Sequence, residues 1–321
     1  MSRCWPAGRW SRASSPARLE MPPVREPALY GGIELGGTKT LVAIGDAAGG
    51  FRARITLPTA APAVLLPQIG AFLADHAAEG ALAGLGVGAF GPIVIDQAAS
   101  DYGRLLETNK PGWSGFDLVG ALRNVSSAPI KLVTDVAAAG IGEARLGALR
   151  GVALGLYLTI GTGIGGAVLH HGLPLPALLH PEIGHIPLLR QADDASPSTC
   201  RFHAHCAEGL AAGPAIAARF GRSLNHFSSD GVEQGLVAEY LGQLVATLVL
   251  TLSPHRIVIG GGVGSAPGLI PAVEAAMLRQ LAGYGGAATA TGYLCPPTLA
   301  GDAGIVGALC CAADAPLAMA A

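Results

Sequence analysis

Residues 29–44, LYGGIELGGTKTLVAI, decide how this chain is read. Apolar residues flank a Gly36-Gly37-Thr38-Lys39 cluster, so the segment reads as strand, glycine turn, strand. Glycine has no Cβ, and backbone N–H groups at such a tip can close around an anion, which makes the turn a candidate phosphate site. It nearly spells a P-loop, but Lys39 follows Thr38, whereas a P-loop needs Gly-Lys-Ser/Thr opening a helix; here a strand follows. The unit returns at residues 157–170, YLTIGTGIGGAVLH. Gly161, Gly163 and Gly166 also satisfy G-x-G-x-x-G, but the downstream AVLHHGLPLP has a Pro-broken strand pattern instead of a crossover helix, against a nicotinamide fold. A third cluster, GGGVG at 260–264, ends a strand predicted over 256–259. One such turn alone is equally an ordinary hairpin; three, two of them with Thr, favour phosphate binding. Two halves that each open on strand-glycine-strand hint at a duplicated architecture.

Between these landmarks the pattern predicts a helix over about 64–79, strands over 83–89 and 130–134, and a polar and aromatic loop over 101–115. An Ala-rich helix follows Asp135, with Asp135 as its N-cap, and a last helix over 300–311 returns to the first half.

The composition sets the outer bounds. A length of 321 residues suggests about two domains. Half the residues are hydrophobic, 13% are charged and mean hydropathy is +0.46, which excludes a disordered chain. Lys plus Arg is 20 against 22 Asp plus Glu, a net charge of −2, so no positive field gathers nucleic acid or anionic lipid and a small-molecule task is favoured. The uncharged stretch 151–169 is long enough to span a bilayer, yet its six glycines and two threonines fit two short strands better. The first 28 residues hold five arginines and no apolar core, so they read as a disordered tail and not a secretory signal; Met21 is an alternative start, and a cytoplasmic location is expected. Cys4, Cys200, Cys206, Cys295, Cys310 and Cys311 form no disulfide framework.

Two constellations carry chemistry. Asp135 sits where a strand hands over to a helix, a position that suits either an N-cap or a proton acceptor. Cys200, His203 and Cys206 have C-x2-H-x2-C spacing, with His185 shortly before; two thiolates and two imidazoles would close a tetrahedral Zn²⁺ shell with no open position, a structural site. His205 is adjacent and competes with His203. In the 107–113 loop, Lys110 suits an anionic group or solvent, and Trp113 a sugar face or the core. His170, His171 and His180 lack ligand spacing and read as solvated or structural.

In order along the chain these motifs resemble the sugar kinase, actin and heat-shock-type ATPases, and within them the ROK family, closest to its bacterial fructokinase branch. Gly36, Gly37, Thr38 and Lys39, after Glu34 where glucokinases usually carry Asp, resemble the first phosphate hairpin. Gly161, Thr162 and Gly163 resemble the second, and Gly260, Gly261 and Gly262 the turn beside the adenosine. The resemblance implies a two-domain α/β fold of the actin-like ATPase (ribonuclease H-like) kind, with an interdomain cleft and a zinc-stabilised loop. The expected division is a disordered tail over 1–28, a small domain over 29–134 plus about 302–321, and a larger one over 135–301.

Thr134-Asp135, with Gly142-Glu143 downstream, looks like the family's catalytic segment, although Ala137 stands where the family often has Asn. ETNKPGW resembles the fructokinase loop beside the sugar and implies Thr108 and Lys110 as substrate contacts; by the same likeness Glu182, His185 and Glu208 point towards sugar hydroxyls. The implied reaction is ATP-dependent phosphorylation of a hexose, D-fructose first, at the 6-hydroxyl, with Mg²⁺ bridging ATP phosphates and Asp135 as base. The implied assembly is a homodimer. A glucokinase or mannokinase is the runner-up, and Ala137 leaves room for a catalytically silent sugar sensor. A repressor of the family needs an N-terminal winged helix, for which 28 residues are too few.

Overall fold

The computed structural model describes residues 28–77, 82–177, 179–284 and 292–314. The expected tail up to residue 27, Cys4 within it, and the end of the 302–321 segment from residue 315 lie outside the described residues.

Strand β1 (Tyr30–Leu35) turns back through the glycine tip into β2 (Lys39–Gly45), and β3 (Phe51–Pro58) adds the outer edge. After α1 (Pro62–His76), β4 (Gly84–Ala89) joins β1 in parallel; α2 (Leu118–Arg123) then leads to β5 (Ile130–Thr134), parallel to β4. The sheet order is β3-β2-β1-β4-β5. After α3 (Asp135–Leu146) the scheme repeats: β6 (Leu154–Ile160) and β7 (Ile164–His170) form the second hairpin, with β8 (Leu173–Pro174) at its edge. Helices α4 (Ala207–Ala211), α5 (Gly213–Phe220) and α6 (Val232–Leu252) precede β9 (Arg256–Gly260), which pairs in parallel with β6. Helices α7 (Gly261–Gly264) and α8 (Leu269–Leu281), then β10 (Leu294–Cys295) parallel to β9, complete the sheet β10-β9-β6-β7-β8. Corresponding strands thus hold the same places in both sheets, as a duplicated architecture requires.

Helix α9 (Ala303–Ala313) returns to the first sheet and packs on β1, β2 and β4 while crossing α3, which covers β6 and β7. These two helices fill the layer between the sheets. A helix enclosed on all sides must be apolar all round, and α3 is buried continuously from Val136 to Glu143, α9 from Ala303 to Ala312. Their close crossing depends on Gly142 and Gly307: a Cβ on Gly307 would enter the Ala138 carbonyl, and one on Gly142 the Ala303 carbonyl. The outer face of the first sheet is covered by a core that includes Leu65, Ile69, Phe72 and Trp113; that of the second packs on α4, α5, α6 and α8.

Two features go beyond the sequence reading at this level: helix α6 is added, and the open choice for Trp113 falls to the core. Residues 151–169 hold two strands and a turn, as expected; the one helix among the described residues long and apolar enough to cross a bilayer is α6, which no local signal in the sequence marks. Its buried residues, Leu241, Leu244, Val245 and Leu248 among them, lie in the core of the second half. Trp113 is a core residue: 1% exposed, edge-on to Phe90 and Phe116, it donates Nε1–H to the Ala60 carbonyl at 2.9 Å. It has no face to offer a sugar.

Candidate active site

A cleft of about 710 Å³ opens between the two sheets, a volume in the range of ligand pockets. Both glycine tips reach it, since β1 and β6 occupy equivalent positions. Gly37 and Thr38 line it from the first half, and Gly161, Thr162 and Gly163 from the second. Asp135, Thr108, Lys110, Glu182, His185, Cys200 and Glu208 line the same space. Gly36 and Lys39 close the base of the first tip, the Gly36 N–H donating to the Lys39 carbonyl at 3.1 Å, and do not line the cleft. Gly260, Gly261 and Gly262 lie behind the second tip. Gly261 has φ +86°, and a Cβ there would strike the Ile160 backbone, so the β9–α7 turn presses on the hairpin only because glycine is present.

The helix that carries Asp135 is capped by its neighbour. Thr134 is the N-cap, its Oγ1 accepting from the Ala137 N–H at 3.2 Å, which corrects the assignment of that role to Asp135. Asp135 is the first helical residue; its Oδ1 accepts from the Val136 N–H at 2.8 Å, and the carboxylate is left to face the cleft. Burial pushes its pKa up to about 6, with the Glu182 charge adding to the rise and the backbone N–H groups opposing it. Ala137 is buried in the α3 packing and brings no polar atom to the cleft.

Glu34 does not line the cleft, although the Asp135 charge acts on it. It projects from β1 against Gly304 at the start of α9, and its Oε2 is buried with no hydrogen-bond partner among the described residues. Desolvation raises its pKa to about 7, with Asp135 adding to the rise and Lys39 and the Ile305 N–H opposing it. Glu34 is thus a buried carboxylate whose charge is disfavoured by its surroundings and by Asp135.

Lys110 is turned towards the phosphate tip: its Nζ lies 3.4 Å from where a Cβ on Gly37 would sit. Thr108 is fixed by Ser114, whose Oγ accepts from the Thr108 N–H at 3.0 Å and donates to its carbonyl at 2.9 Å. Glu208 accepts from the Ile164 N–H at 2.9 Å, tying α4 to the second hairpin.

The sulfur and nitrogen atoms of His185, Cys200, His203 and Cys206 all lie within 4.8 Å of one another. Cys200 Sγ stands 3.8 Å from His185 Nδ1 and 3.6 Å from His203 Nδ1, and Cys206 Sγ 3.7 Å from His185 Nδ1. A tetrahedron with Zn–S and Zn–N bonds of ~2.3 and ~2.0 Å has edges of ~3.5 Å, so the set fits Zn²⁺. The cluster gathers His203 and not His205. His185 turns Nδ1 to the sulfurs while its ring borders the cleft, so the metal cluster and the cleft share this residue. The loop is held from behind by Asp194, which accepts from Tyr240 Oη at 2.6 Å and from Arg219 at 3.1 and 3.0 Å. Burial alone would raise the Asp194 pKa, but these donors and the Ser196 N–H bring it down to about 2.

His170 and His171 are exposed, as expected, but His180 is not. Its side chain is 11% exposed, the structural one of the two alternatives, and it borders the cleft through a contact with the Gly91–Pro92 turn that local spacing does not reveal.

The chain's relatives accord with this geometry. A fructokinase of Pediococcus pentosaceus is 33% identical over 281 residues, 88% of this chain and 96% of the relative. The ROK hexokinase of Thermus thermophilus has a TM-score of 0.70 at 28% identity, covering 89% of this chain and 98% of its own. A ROK glucokinase of Streptomyces griseus, solved with glucose and AMPPNP, has a TM-score of 0.71 at 21% identity, covering 89% of this chain and all of its own. The ROK family pattern matches residues 30–315, and with the duplicated sheets and paired glycine hairpins of the actin-like ATPases, this chain belongs to the ROK family.

Proposed function

We propose that this protein is a sugar kinase that transfers the γ-phosphoryl group of ATP to the 6-hydroxyl of a hexose, D-fructose foremost. The single observation that carries the reading is the placing of Asp135 in one cleft with two glycine hairpins from duplicated halves. Phosphoryl transfer needs little covalent help from protein; it needs in-line positioning, charge stabilisation and a base for the attacking hydroxyl.

The hairpin tips at Gly37–Thr38 and Thr162–Gly163 offer backbone N–H groups to phosphates, and Lys110 stands beside the first tip as a cation for the transferred group. With a pKa of about 6, Asp135 is still about nine-tenths ionised at pH 7 and is a stronger base than an exposed Asp. Its Oδ1 is occupied by the Val136 N–H, so Oδ2 accepts the proton of the 6-hydroxyl. Glu182, His185 and Glu208, with Thr108 opposite, are the groups for the remaining hydroxyls. Approach of the two halves would exclude water that would otherwise hydrolyse ATP.

The Glu34 Oε2, buried without a hydrogen-bond partner among the described residues, fits Mg²⁺, a hard cation that takes oxygen donors, and Glu34 would hold it through water, which leaves Asp135 free to act as the base. Mg²⁺ there would neutralise charge on the β- and γ-phosphate oxygens. Zn²⁺ in the Cys200, Cys206, His185, His203 set would fix the loop that carries His185 and leave no position open for catalysis.

Fructose is favoured over other hexoses by the Pediococcus fructokinase's greater identity than that of the Thermus hexokinase. Rates of ADP formation with fructose, mannose and glucose on one preparation test the reading. Fructose is expected to give the highest kcat/KM; a higher value with glucose would make the chain a glucokinase, and no turnover with any of them would remove the kinase assignment.

A further inference from the structure

We infer that His180 is a positioning residue for the sugar site, orienting Glu182 from a fixed point on the opposite half of the molecule. Its ring stands between the two. On one side Nε2 faces the Ile93 N–H at 3.4 Å, in the turn that follows β4, and the ring covers Gly91 so closely that a Cβ there would lie 2.9 Å from Cε1. On the other side Nδ1 faces Glu182 Oε1 at 3.4 Å.

A backbone N–H can only donate, so Nε2 must be the unprotonated nitrogen and the proton sits on Nδ1, the nitrogen 3.4 Å from Glu182 Oε1. The Ile93 N–H thus sets the tautomer that Glu182 needs. The burial pattern agrees: the His180 side chain is 11% exposed, whereas the Glu182 side chain is 49% exposed and open to the cleft. An exposed glutamate samples several rotamers; a buried ring whose protonated Nδ1 stands 3.4 Å from one oxygen favours the rotamer in which the other faces a ligand. Arg201 and Glu107, 3.1 Å apart and both lining the cleft, make another polar link between the halves beside the ligand space.

This inference rests on the reading of the cleft as a sugar site, and the experiment keeps the two separable by measuring sugar binding as well as turnover. Asn and Gln split the two functions of the ring. The Asn amide overlies Nδ1 and can still donate to Glu182; the Gln amide overlies Nε2 and can accept from Ile93 but cannot reach Glu182. Fructose Kd by calorimetry, and KM and kcat for fructose and ATP, are measured for wild type, H180Q, H180N, E182Q and H180Q/E182Q.

The expected result is a roughly tenfold weaker fructose Kd and higher fructose KM for H180Q, with ATP KM within twofold and the melting temperature little changed. H180N should recover most of the loss. In the E182Q background H180Q should have almost no further effect, because its action passes through Glu182. The inference is overturned if the two single losses multiply in the double variant, if H180N and H180Q are equally impaired, or if ATP KM rises as much as fructose KM. Wild type that binds fructose without turnover would remove the kinase assignment and leave this cycle readable in Kd; wild type that binds no hexose would overturn both.

Discussion

At position 135 two demands conflict. A carboxylate that is to take a proton from a sugar hydroxyl must be basic, and burial makes it so by destabilising its charge; the same burial costs folding energy whenever the group is ionised. Asp135 at about 6 and Glu34 at about 7 both lie above their ordinary values of 3.8 and 4.5, so the folded state binds their protons more tightly than the unfolded state does. The sign follows: as pH falls from 8 towards 5, these groups increasingly favour the folded unliganded protein, while the base loses its function. Two outcomes are expected from one pH series. The kcat/KM should fall on the acid side with a midpoint near 6, and the urea midpoint of the unliganded protein should rise over the same range. A kcat/KM that stays flat down to pH 5 would contradict Asp135 as the base.

Single residues also show what a sequence can and cannot say. The glycine tips and the Cys200, His203, Cys206 spacing are legible because their meaning is local: a turn between two apolar runs, and ligands within one loop. Trp113 and His180 are not, because what their rings meet lies 53 and 87 residues away, at Ala60 and Ile93. Thr134 outranked Asp135 as the cap for a local reason that the sequence offered but did not force, since Thr and Asp both cap helices and stand side by side.

Among elements, the loop that carries Cys200 and His203 has two supports of different kind. One is the metal cluster; the other is the buried pair of Asp194 and Arg219, their side chains 2% and 5% exposed, with Tyr240 Oη on the same carboxylate. Removing one partner strands a buried charge, so D194A should cost about 3–5 kcal/mol in chemical denaturation, whereas Y240F, which loses one neutral donor, should cost about 1. A D194A cost below about 1 kcal/mol would show that Arg219 finds water or another acceptor. For the cluster, metal analysis of wild type should give one zinc per chain, and C206S should retain less than a fifth of it; wild type purified without zinc would contradict the assignment. Helix α6 lacks the usual start signal, since Gly231 precedes it without a side-chain cap, and its solvent side carries exposed Val232 and Leu250 beside Glu239, Gln243 and Thr247, so apolar text on both faces blurs the helical period.

For the whole molecule, duplication explains why the site is where it is. Each half builds antiparallel hairpin and parallel strands in the same order, and α3 and α9 between the sheets bring both glycine tips to one cleft. The sequence showed the repeated strand-glycine-strand units but not the α3–α9 layer, since the contacts at Gly142 and Gly307 join helices far apart in the chain. The cleft matters to function only if the carboxylate at its floor takes the proton. The direct measurement is kcat for D135N with fructose and ATP, with fructose Kd and melting temperature recorded on the same protein. The account predicts a kcat lower by roughly 10²–10⁴-fold, a fructose Kd within about threefold of wild type and a melting temperature at least as high. A folded D135N enzyme whose kcat stays within about threefold of wild type would contradict it.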